Sequence, residues 1–298
     1  MKQTSRLASR LVTTGLVGLV LVAGVVFAQD RGRGRRGGYG GYGGYGRGWA
    51  DGIPEITDRR GVPDWEVDPH FKTDLFTFVR VKYRSYGGRG GWLTDWPDSD
   101  LNFPWRLQQL TSLKVDPKPK VVELTDDALF DYPWIYMLEP GALSFSDEEV
   151  AALRRYLMNG GFLMVDDFWG ADEWDNFYQE IKRVFPDREM VELPLEHPIF
   201  HCVYDLKEKP QVPSINAALY NRGGRYPNTD RPGDPDSREV HYRAFFDDKG
   251  RMVCIICHNT DLGDGWEREG EDEWYFREFS EKKGYPMGIN IVFYAMTH

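Results

Sequence analysis

The sequence predicts an α/β fold in which helices cover both faces of a mainly parallel β-sheet, giving three layers. Along residues 75–298, apolar segments of strand length alternate with segments of helical periodicity, which is the pattern of parallel sheets. The strand at 162–165 is apolar without polar alternation, as expected for a strand buried on both faces. Ser146 and Glu149 form a capping-box pattern at the start of the preceding helix. These observations predict a single α/β domain.

Strands and helices alternate through the first half of this domain. Strands are predicted at 75–83, 120–124, 134–140 and 162–165. Helices are predicted at 101–113 and 171–185. Asp98, Ser99 and Asp100 are available as N-terminal caps for the first of these helices. A Gly- and Trp-rich loop at 85–100 is longer than a simple connection requires, which favours a functional role for it.

The second half of the domain is less regular. Residues 207–238 are rich in Pro, Gly, Asn and Asp and predict a long excursion from the sheet. Residues 239–259 predict two strands joined by a turn at 247–250. A charged loop at 259–274 is expected next, and the chain closes with a helix opened by Pro286, a residue well tolerated in a first helical turn.

The first 28 residues predict a signal peptide. Three basic residues precede an apolar run at 11–27, and small residues at the expected positions favour cleavage after Ala28. An uncleaved membrane anchor is the alternative, since about 18 apolar residues begin to suffice for a span. We therefore expect a periplasmic or secreted protein, with no stable membrane insertion once the leader is removed.

Residues 29–50 predict a disordered linker, and residues 51–74 an irregular lead-in with three prolines. The linker contains ten Gly, five Arg and three Tyr within 31–48 and no aliphatic residue there, so it has little apolar surface to bury. The formal net charge is −10, and residues 1–50 hold eight basic and one acidic side chain, which leaves −17 for residues 51–298. Such an acidic domain repels nucleic acid, so no nucleic-acid partner is expected.

The three cysteines are too few for a disulfide framework. Cys254 and Cys257 lie in a predicted strand, where a spacing of three places their side chains on opposite faces. We interpret them as small buried apolar residues. A disulfide between Cys202 and one of them is the alternative in an oxidising compartment.

Candidate site residues follow the predicted strands, because ligands of open parallel sheets bind beyond the carboxyl ends of the strands. Polar and aromatic residues appear there after each apolar run. The candidate catalytic residues are Asp166, Asp167 and His258. The candidate ligand-binding residues are Arg84, Trp92, Trp96, Glu139, Trp169, Asn259 and Asp261. Because side chains alternate along a strand, we expect only one of the two adjacent aspartates to face the cleft.

Three functions are compatible with this cluster. The favoured one is binding of a small polar ligand, with carbohydrate as its class, through tryptophan stacking and carboxylate hydrogen bonds. A hydrolase using carboxylate and histidine acid–base catalysis is the second. The third is an envelope protein-interaction domain that uses the 207–238 excursion. No cofactor is expected, except that Asp261, Asp264 and Glu267 offer oxygen ligands for a divalent metal.

Several long strings resemble an uncharacterised bacterial family known as domain of unknown function 4159. They are LSFSDEEVAALRRYLMNGGFLMVDDFWG, EHPIFHCVYDL, ICHNTDLGDGWE and FSEKKGYPMGINIVFYAMTH. More distantly, the family is similar to the class I glutamine amidotransferase-like fold, which implies a flavodoxin-like sheet. Amidotransferases of that class carry a Cys nucleophile in the turn after a central strand. Here the turn is Asp166–Gly170, without Cys, so no glutaminase activity is expected.

Overall fold

Seven strands form the sheet at the centre of the protein, in a computed structural model that describes residues 52–71, 74–86 and 91–298. The strands are β1 (Val79–Lys82), β2 (Lys120–Glu123), β3 (Trp134–Leu138), β4 (Phe162–Asp166), β5 (Val191–Glu192), β6 (His241–Phe246) and β7 (Met252–His258). Their order in the sheet is β2-β1-β3-β4-β7-β6-β5. β6 runs antiparallel to both of its neighbours, and every other pair is parallel. The prediction of an α/β protein with a mainly parallel sheet is confirmed.

Helices occupy most of the connections. They are α1 (Asp98–Leu110), α2 (Asp147–Met158), α3 (Gly170–Val184), α4 (Ile215–Tyr220), α5 (Leu262–Glu267), α6 (Glu273–Tyr275) and α7 (Tyr285–Thr297), with a π-helical segment (Phe276–Gly284) joining the last two. The capping box at α2 is confirmed: Glu149 N donates to Ser146 Oγ at 3.2 Å, and Ser146 N donates to Glu149 Oε2 at 2.7 Å. α4 lies within the predicted 207–238 excursion.

Two local predictions are wrong. α1 has no side-chain cap, because Asp98, Ser99 and Asp100 stand inside its first turn and Asp100 points into the core instead. The expected charged loop at 259–274 contains α5, because Asp261 Oδ1 accepts a hydrogen bond from Asp264 N at 2.7 Å and starts a helix there.

Two apolar clusters lie on opposite faces of the sheet. Side chains of α1, α5 and α7 pack in the first cluster, and those of α2 and α3 pack in the second. Strand residues alternate between them, so Cys257 belongs to the first cluster and Cys254 to the second, as predicted. All three cysteines are free thiols, which leaves the alternative of a Cys202 disulfide without support.

The predicted leader and linker lie outside the described residues and remain predictions. From Ile53 to His298 the chain forms one compact unit. The lead-in is irregular over 52–71 apart from a single 3-10 turn at Pro69–Phe71. None of the helices in the described segments has the length and apolar character needed to cross a membrane.

The packing of α7 on α1 and α5 depends on Gly288. A Cβ atom at this position would lie 2.5 Å from Trp266 Cζ2 and 2.6 Å from Phe103 Cε2. We expect Gly288→Ala to lower the free energy of unfolding by about 1–3 kcal/mol through overpacking, measured by chemical denaturation. Gly233→Ala is the control, because nothing lies within 4 Å of the added Cβ. Equal stability of the two variants would contradict this account of the helix contact.

Candidate functional site

The site lies at the carboxyl edge of the sheet, where the strand order reverses between β1 and β3. Glu139 follows β3, Asp166 ends β4 and Asp167 follows it. Backbone hydrogen bonds continue beyond the strands: Glu139 N donates to Asp166 O at 3.1 Å, and Asp167 N donates to Thr260 O at 3.1 Å. The ends of β3, β4 and β7 are therefore held side by side, with their polar residues adjacent.

Four residues at this edge have left-handed backbone conformations that glycine normally occupies. The φ angles are 61° at Asp95, 47° at Glu139, 57° at Asp167 and 61° at Asn259. Each such residue costs on the order of 1 kcal/mol of conformational energy. Only one other described non-glycine residue, Arg60, has a positive φ. The strain is thus concentrated where three adjacent strands end, which is typical of functional sites.

Asp166 lies at the floor of the site and is fully buried. Its Oδ2 accepts hydrogen bonds from Tyr136 Oη at 3.1 Å and from Gly263 N at 3.0 Å. Its Oδ1 has no hydrogen-bond partner. Burial raises the pKa of Asp166 to about 8. In the absence of a ligand or ion, this carboxyl is therefore protonated at neutral pH.

Glu139 and Asp167 follow the neighbouring strands β3 and β4, and the charge of Glu139 acts on Asp167. Asp167 Oδ1 accepts a hydrogen bond from Trp169 Nε1 at 3.1 Å, and Glu139 Oε2 accepts one from Gly91 N at 2.8 Å. Burial, and then the charge of Asp95, raises the pKa of Glu139 to about 7. Burial, and then the charge of Glu139, holds the pKa of Asp167 well above its usual range. Both adjacent aspartates therefore belong to the carboxylate cluster, and which of them faces a ligand stays a prediction.

Three more carboxylates complete the cluster. Oxygen atoms of Asp95, Asp264 and Glu267 all lie within 4.8 Å of one another. Asp95 comes from the loop between β1 and α1, and the other two come from α5. Burial, and then the charge of Asp264, raises the pKa of Asp95 to about 6. Asp261 is buried beside the cluster: burial, and then the charge of Asp167, holds its pKa well above its usual range, and its Oδ1 also caps α5.

Arg80 of β1 fixes the loop that carries Asp95. Its side chain is fully buried and its Nε donates to Asp100 Oδ1 at 2.9 Å. Its Nη1 donates to the carbonyl oxygens of Trp92 at 2.8 Å and Thr94 at 2.5 Å. Neither Arg80 nor Asp95 was among the predicted site residues. The sequence does place an arginine inside an otherwise apolar strand, and that feature could have identified the anchor.

His258 is not part of the carboxylate cluster, which corrects its pairing with Asp166 or Asp167. It packs against Phe168 and Trp174 on the face of the second apolar cluster, whereas Asp166 bonds Tyr136 of the first. Its Nε2 lies 3.1 Å from Gly170 O, and its Nδ1 lies 3.3 Å from Arg243 Nη1. Burial lowers the pKa of His258 to about 3, so the ring is neutral and both nitrogens are occupied.

Asn259 holds the backbone of the site together. Its Oδ1 accepts a hydrogen bond from Gly170 N at 2.8 Å. Its Nδ2 donates to the carbonyl oxygens of Asp236 at 2.8 Å and Glu239 at 2.7 Å. The amide therefore ties the start of α3 to the end of the 207–238 excursion, and its hydrogen-bonding groups are used within the protein.

The remaining predicted residues lie at different depths. Trp169 is buried, with 4% exposure, so its indole supports Asp167 rather than presenting an open face. Trp92 and Trp96 are half-buried, and Trp96 covers Arg80 with 5.9 Å between ring centroid and guanidinium carbon. Arg84 is exposed, and the structure does not bring it to the carboxylates. Local hydrogen bonds and, more weakly, the Arg84 charge lower the pKa of Glu148 at the start of α2.

Comparison with protein-family models finds one match. The model described as "Domain of unknown function (DUF4159)" matches residues 77–296, a stretch that includes every strand of the sheet and all the carboxylates described above. A comparison with curated proteins finds no match. Functional interpretation of the site therefore depends on its own chemistry.

Proposed function

Since the chain belongs to the DUF4159 family, whose description assigns no function, we propose its function from the site alone. We infer that the carboxyl edge of the sheet binds a polar ligand rich in hydroxyl or cationic groups. Carbohydrate is the class to test first. The proposal includes export of the protein, on the strength of the leader predicted for residues 1–28.

The chemistry of the cluster limits what can bind. Ionised carboxylates only accept hydrogen bonds, whereas a protonated carboxyl such as that of Asp166 can also donate one. A ligand with hydroxyl groups can use both kinds of partner. Trp92 and Trp96 are half-buried residues of the loop that carries Asp95, and their rings are the apolar surfaces that a sugar would contact in this proposal.

The concentration of left-handed residues is the observation that carries the proposal. Asp95, Glu139, Asp167 and Asn259 come from one loop and three strand ends, yet they meet at one edge. A chain selected for stability alone gains nothing from four such conformations, because glycine would relieve the strain at each position. At Asn259 internal hydrogen bonds account for the conformation, and positioning of side chains for a ligand explains why the strain is retained at the three carboxylates.

We also propose the flavodoxin-like arrangement for this sheet. The order β2-β1-β3-β4-β7 supports it, because a doubly wound flavodoxin-like sheet has the order 2-1-3-4-5. Asp167 stands in the turn between β4 and α3, where related amidotransferases carry their Cys nucleophile. A carboxyl at this position supports a function other than glutamine hydrolysis.

We expect a glycan ligand to raise the thermal midpoint of the protein, and Asp167→Asn to abolish that increase. A ligand at 100 times its Kd stabilises the native state by about 2.7 kcal/mol, which corresponds to a shift of several °C in a protein of this size. The measurement is a thermal-shift screen of neutral and amino sugars, repeated with both proteins.

The matched control is Asp175→Asn, which removes an exposed carboxylate from α3 without touching the cluster. This variant is expected to respond to ligand like the wild type. A hit that persists unchanged in Asp167→Asn places binding elsewhere. A screen without any hit removes the carbohydrate class and favours the protein-interaction alternative.

Hydrolysis is the second candidate, and the pair of Glu139 and Asp167 favours it. Both carboxyls have raised pKa values, which suits one of them to donate a proton while its neighbour accepts one. In this mechanism Glu139 takes the role that the sequence suggested for His258. Glu139→Gln is expected to abolish turnover of a bound glycan while the ligand-induced thermal shift is retained.

A further inference from the structure

A group of three carboxylates at the base of the loop between β1 and α1 has the geometry of a cation site. One oxygen from each of Asp95, Asp264 and Glu267 lies within 4.8 Å of the other two. Oxygens bound to one Ca²⁺ at about 2.3–2.6 Å stand at most about 4.6–5.2 Å apart across the ion. This spacing is compatible with one ion bound by all three oxygens.

An unused acceptor points to a missing partner. Asp95 is 8% exposed, and its Oδ2 is buried without a hydrogen-bond partner. This oxygen lies on the side of α5, because a Cβ added to Gly263 would stand 2.8 Å from it. A buried carboxylate oxygen without a donor is costly, and native proteins almost always supply hydrogen bonds or a metal ion.

The local charge is also incomplete. Glu267 Oε2 lies 2.9 Å from Arg268 Nε, and Asp264 Oδ1 lies 3.4 Å from the same nitrogen. Arg268 also pairs with Glu271 at 3.3 Å, so its guanidinium is shared among several carboxylates. A divalent cation would supply positive charge directly to the three cluster oxygens.

We propose that Asp95, Asp264 and Glu267 bind a hard divalent cation of the Ca²⁺ and Mg²⁺ class. All three ligands are carboxylate oxygens, which such ions prefer over the nitrogen and sulfur ligands of zinc sites. Ca²⁺ fits better than Mg²⁺, because it accepts irregular geometry and gives up its water more readily. The set replaces the Asp261, Asp264 and Glu267 combination suggested by the sequence, since it is an oxygen of Asp95 that lies within 4.8 Å of oxygens of both Asp264 and Glu267.

The inference deepens the proposed function and rests on it in one respect: the ion would lie within the ligand site and present a positive charge to ligand hydroxyls. Binding of the ion alone, however, is independent of any glycan. The two proposals can therefore fail separately, the first in a titration with metal alone and the second in the glycan screen performed in saturating Ca²⁺.

The test is isothermal titration of the chelator-treated, full-length protein with CaCl₂ or MgCl₂, alongside thermal midpoints with and without each ion. We expect one bound ion per chain and a higher midpoint in its presence. Asp95→Asn and Glu267→Gln are expected to weaken binding by at least about tenfold, the smallest effect usual for loss of an interaction that supports a metal site.

In these variants, the effect of each substitution on folding can be measured separately from its effect on ion binding. Because each removes a mutually repelling carboxylate, both are expected to unfold at a higher temperature than the wild type in chelator, while losing the increase caused by Ca²⁺. Glu273→Gln is the matched control, since this residue is 67% exposed and pairs with Arg277 on its own helical face. The inference is overturned if neither ion binds the wild type at millimolar concentration, or if both cluster variants bind as the control does.

Discussion

In the presence of a chelator, the thermal midpoint of the protein is expected to fall as the pH rises from 6.5 to 8. The cause is the set of buried carboxyls at this edge of the sheet, among them Asp166, whose pKa burial raises from 3.8 to about 8, and Glu267, whose pKa burial and then the charge of Asp95 raise from 4.5 to about 12. Between its two values each group binds more protons in the folded state than in the unfolded chain. The stability that Asp166 contributes is therefore fully present below pH 3.8 and is lost as the pH approaches 8.

The fall in stability is easiest to interpret between pH 6.5 and 8, because several other groups titrate mainly outside this range. Glu139, with a pKa of about 7, adds to the fall below pH 7, also because of burial. His258 acts in the opposite direction, since its pKa is lowered by burial from 6.5 to about 3, but its contribution ends near pH 6.5. Glu192, whose pKa of about 2 reflects hydrogen bonds from His241 and Lys209 that outweigh its desolvation, matters only below its ordinary value of 4.5.

The size of the fall in stability follows from how many more protons the folded state binds than the unfolded chain. One carboxyl that stays protonated only in the folded state changes stability by about 1.4 kcal/mol per pH unit, so Asp166 alone gives about 2 kcal/mol between pH 6.5 and 8. Denaturant titrations at several pH values measure this slope directly. Asp166→Asn is expected to reduce the slope by about 1.4 kcal/mol per unit and to be the more stable protein at pH 8. A wild-type slope of zero or of opposite sign would show that these carboxyls are solvated.

The same pKa shifts also concern the reason why this site contains so many acidic residues. Without a ligand or ion, each raised pKa represents free energy that folding has to supply elsewhere in the protein. A bound cation removes this cost because it favours the ionised forms. Addition of Ca²⁺ at pH 8 should therefore restore most of the stability lost between pH 6.5 and 8.

The sequence predicted the sheet well because its strands follow simple rules. Phe162–Val165 has no polar alternation, and the structure places it between two parallel neighbours with helices on both faces. The rule that ligands bind at the carboxyl ends of strands then brought Glu139, Asp166 and Asp167 to one edge without any knowledge of strand order. These are consequences of local pattern and chain direction.

The site predictions that were wrong or incomplete concern residues whose positions depend on contacts between residues distant in sequence. Asp95 lies 13 residues beyond the end of β1, and hydrogen bonds of Arg80 to the loop carbonyls and of Gly91 N to Glu139 bring its loop back to the sheet. His258 ends β7 like a site residue, but alternation along the strand places it on the other face from Asp166. Asn259 has the composition of a ligand-binding residue, yet its amide bonds three backbone groups of the protein. Side-chain type alone does not separate these cases.

Arg80→Leu is expected to be the most destabilising substitution near the site. Arg80 and Asp100 are both fully buried, and Arg80 Nε donates to Asp100 Oδ1 at 2.9 Å. Removal of the guanidinium leaves a buried carboxylate without its partner, which costs about 3–5 kcal/mol. Chemical denaturation measures this loss. Arg277→Leu is the control, because its helical pair with Glu273 is exposed and contributes about 0.3–0.5 kcal/mol.

The double variant Arg80→Leu with Asp100→Leu separates the two roles of the arginine. Replacement of both partners removes the unpaired charge, so most of the lost stability is expected to return. The hydrogen bonds from Arg80 to the carbonyl oxygens of Trp92 and Thr94 remain absent, however, and Asp95 loses the anchor of its loop. Ca²⁺ affinity should therefore stay at least about tenfold below that of the wild type, as for loss of other supporting contacts around a metal. Recovery of wild-type affinity together with stability would mean that α1 and α5 position Asp95 without help from β1.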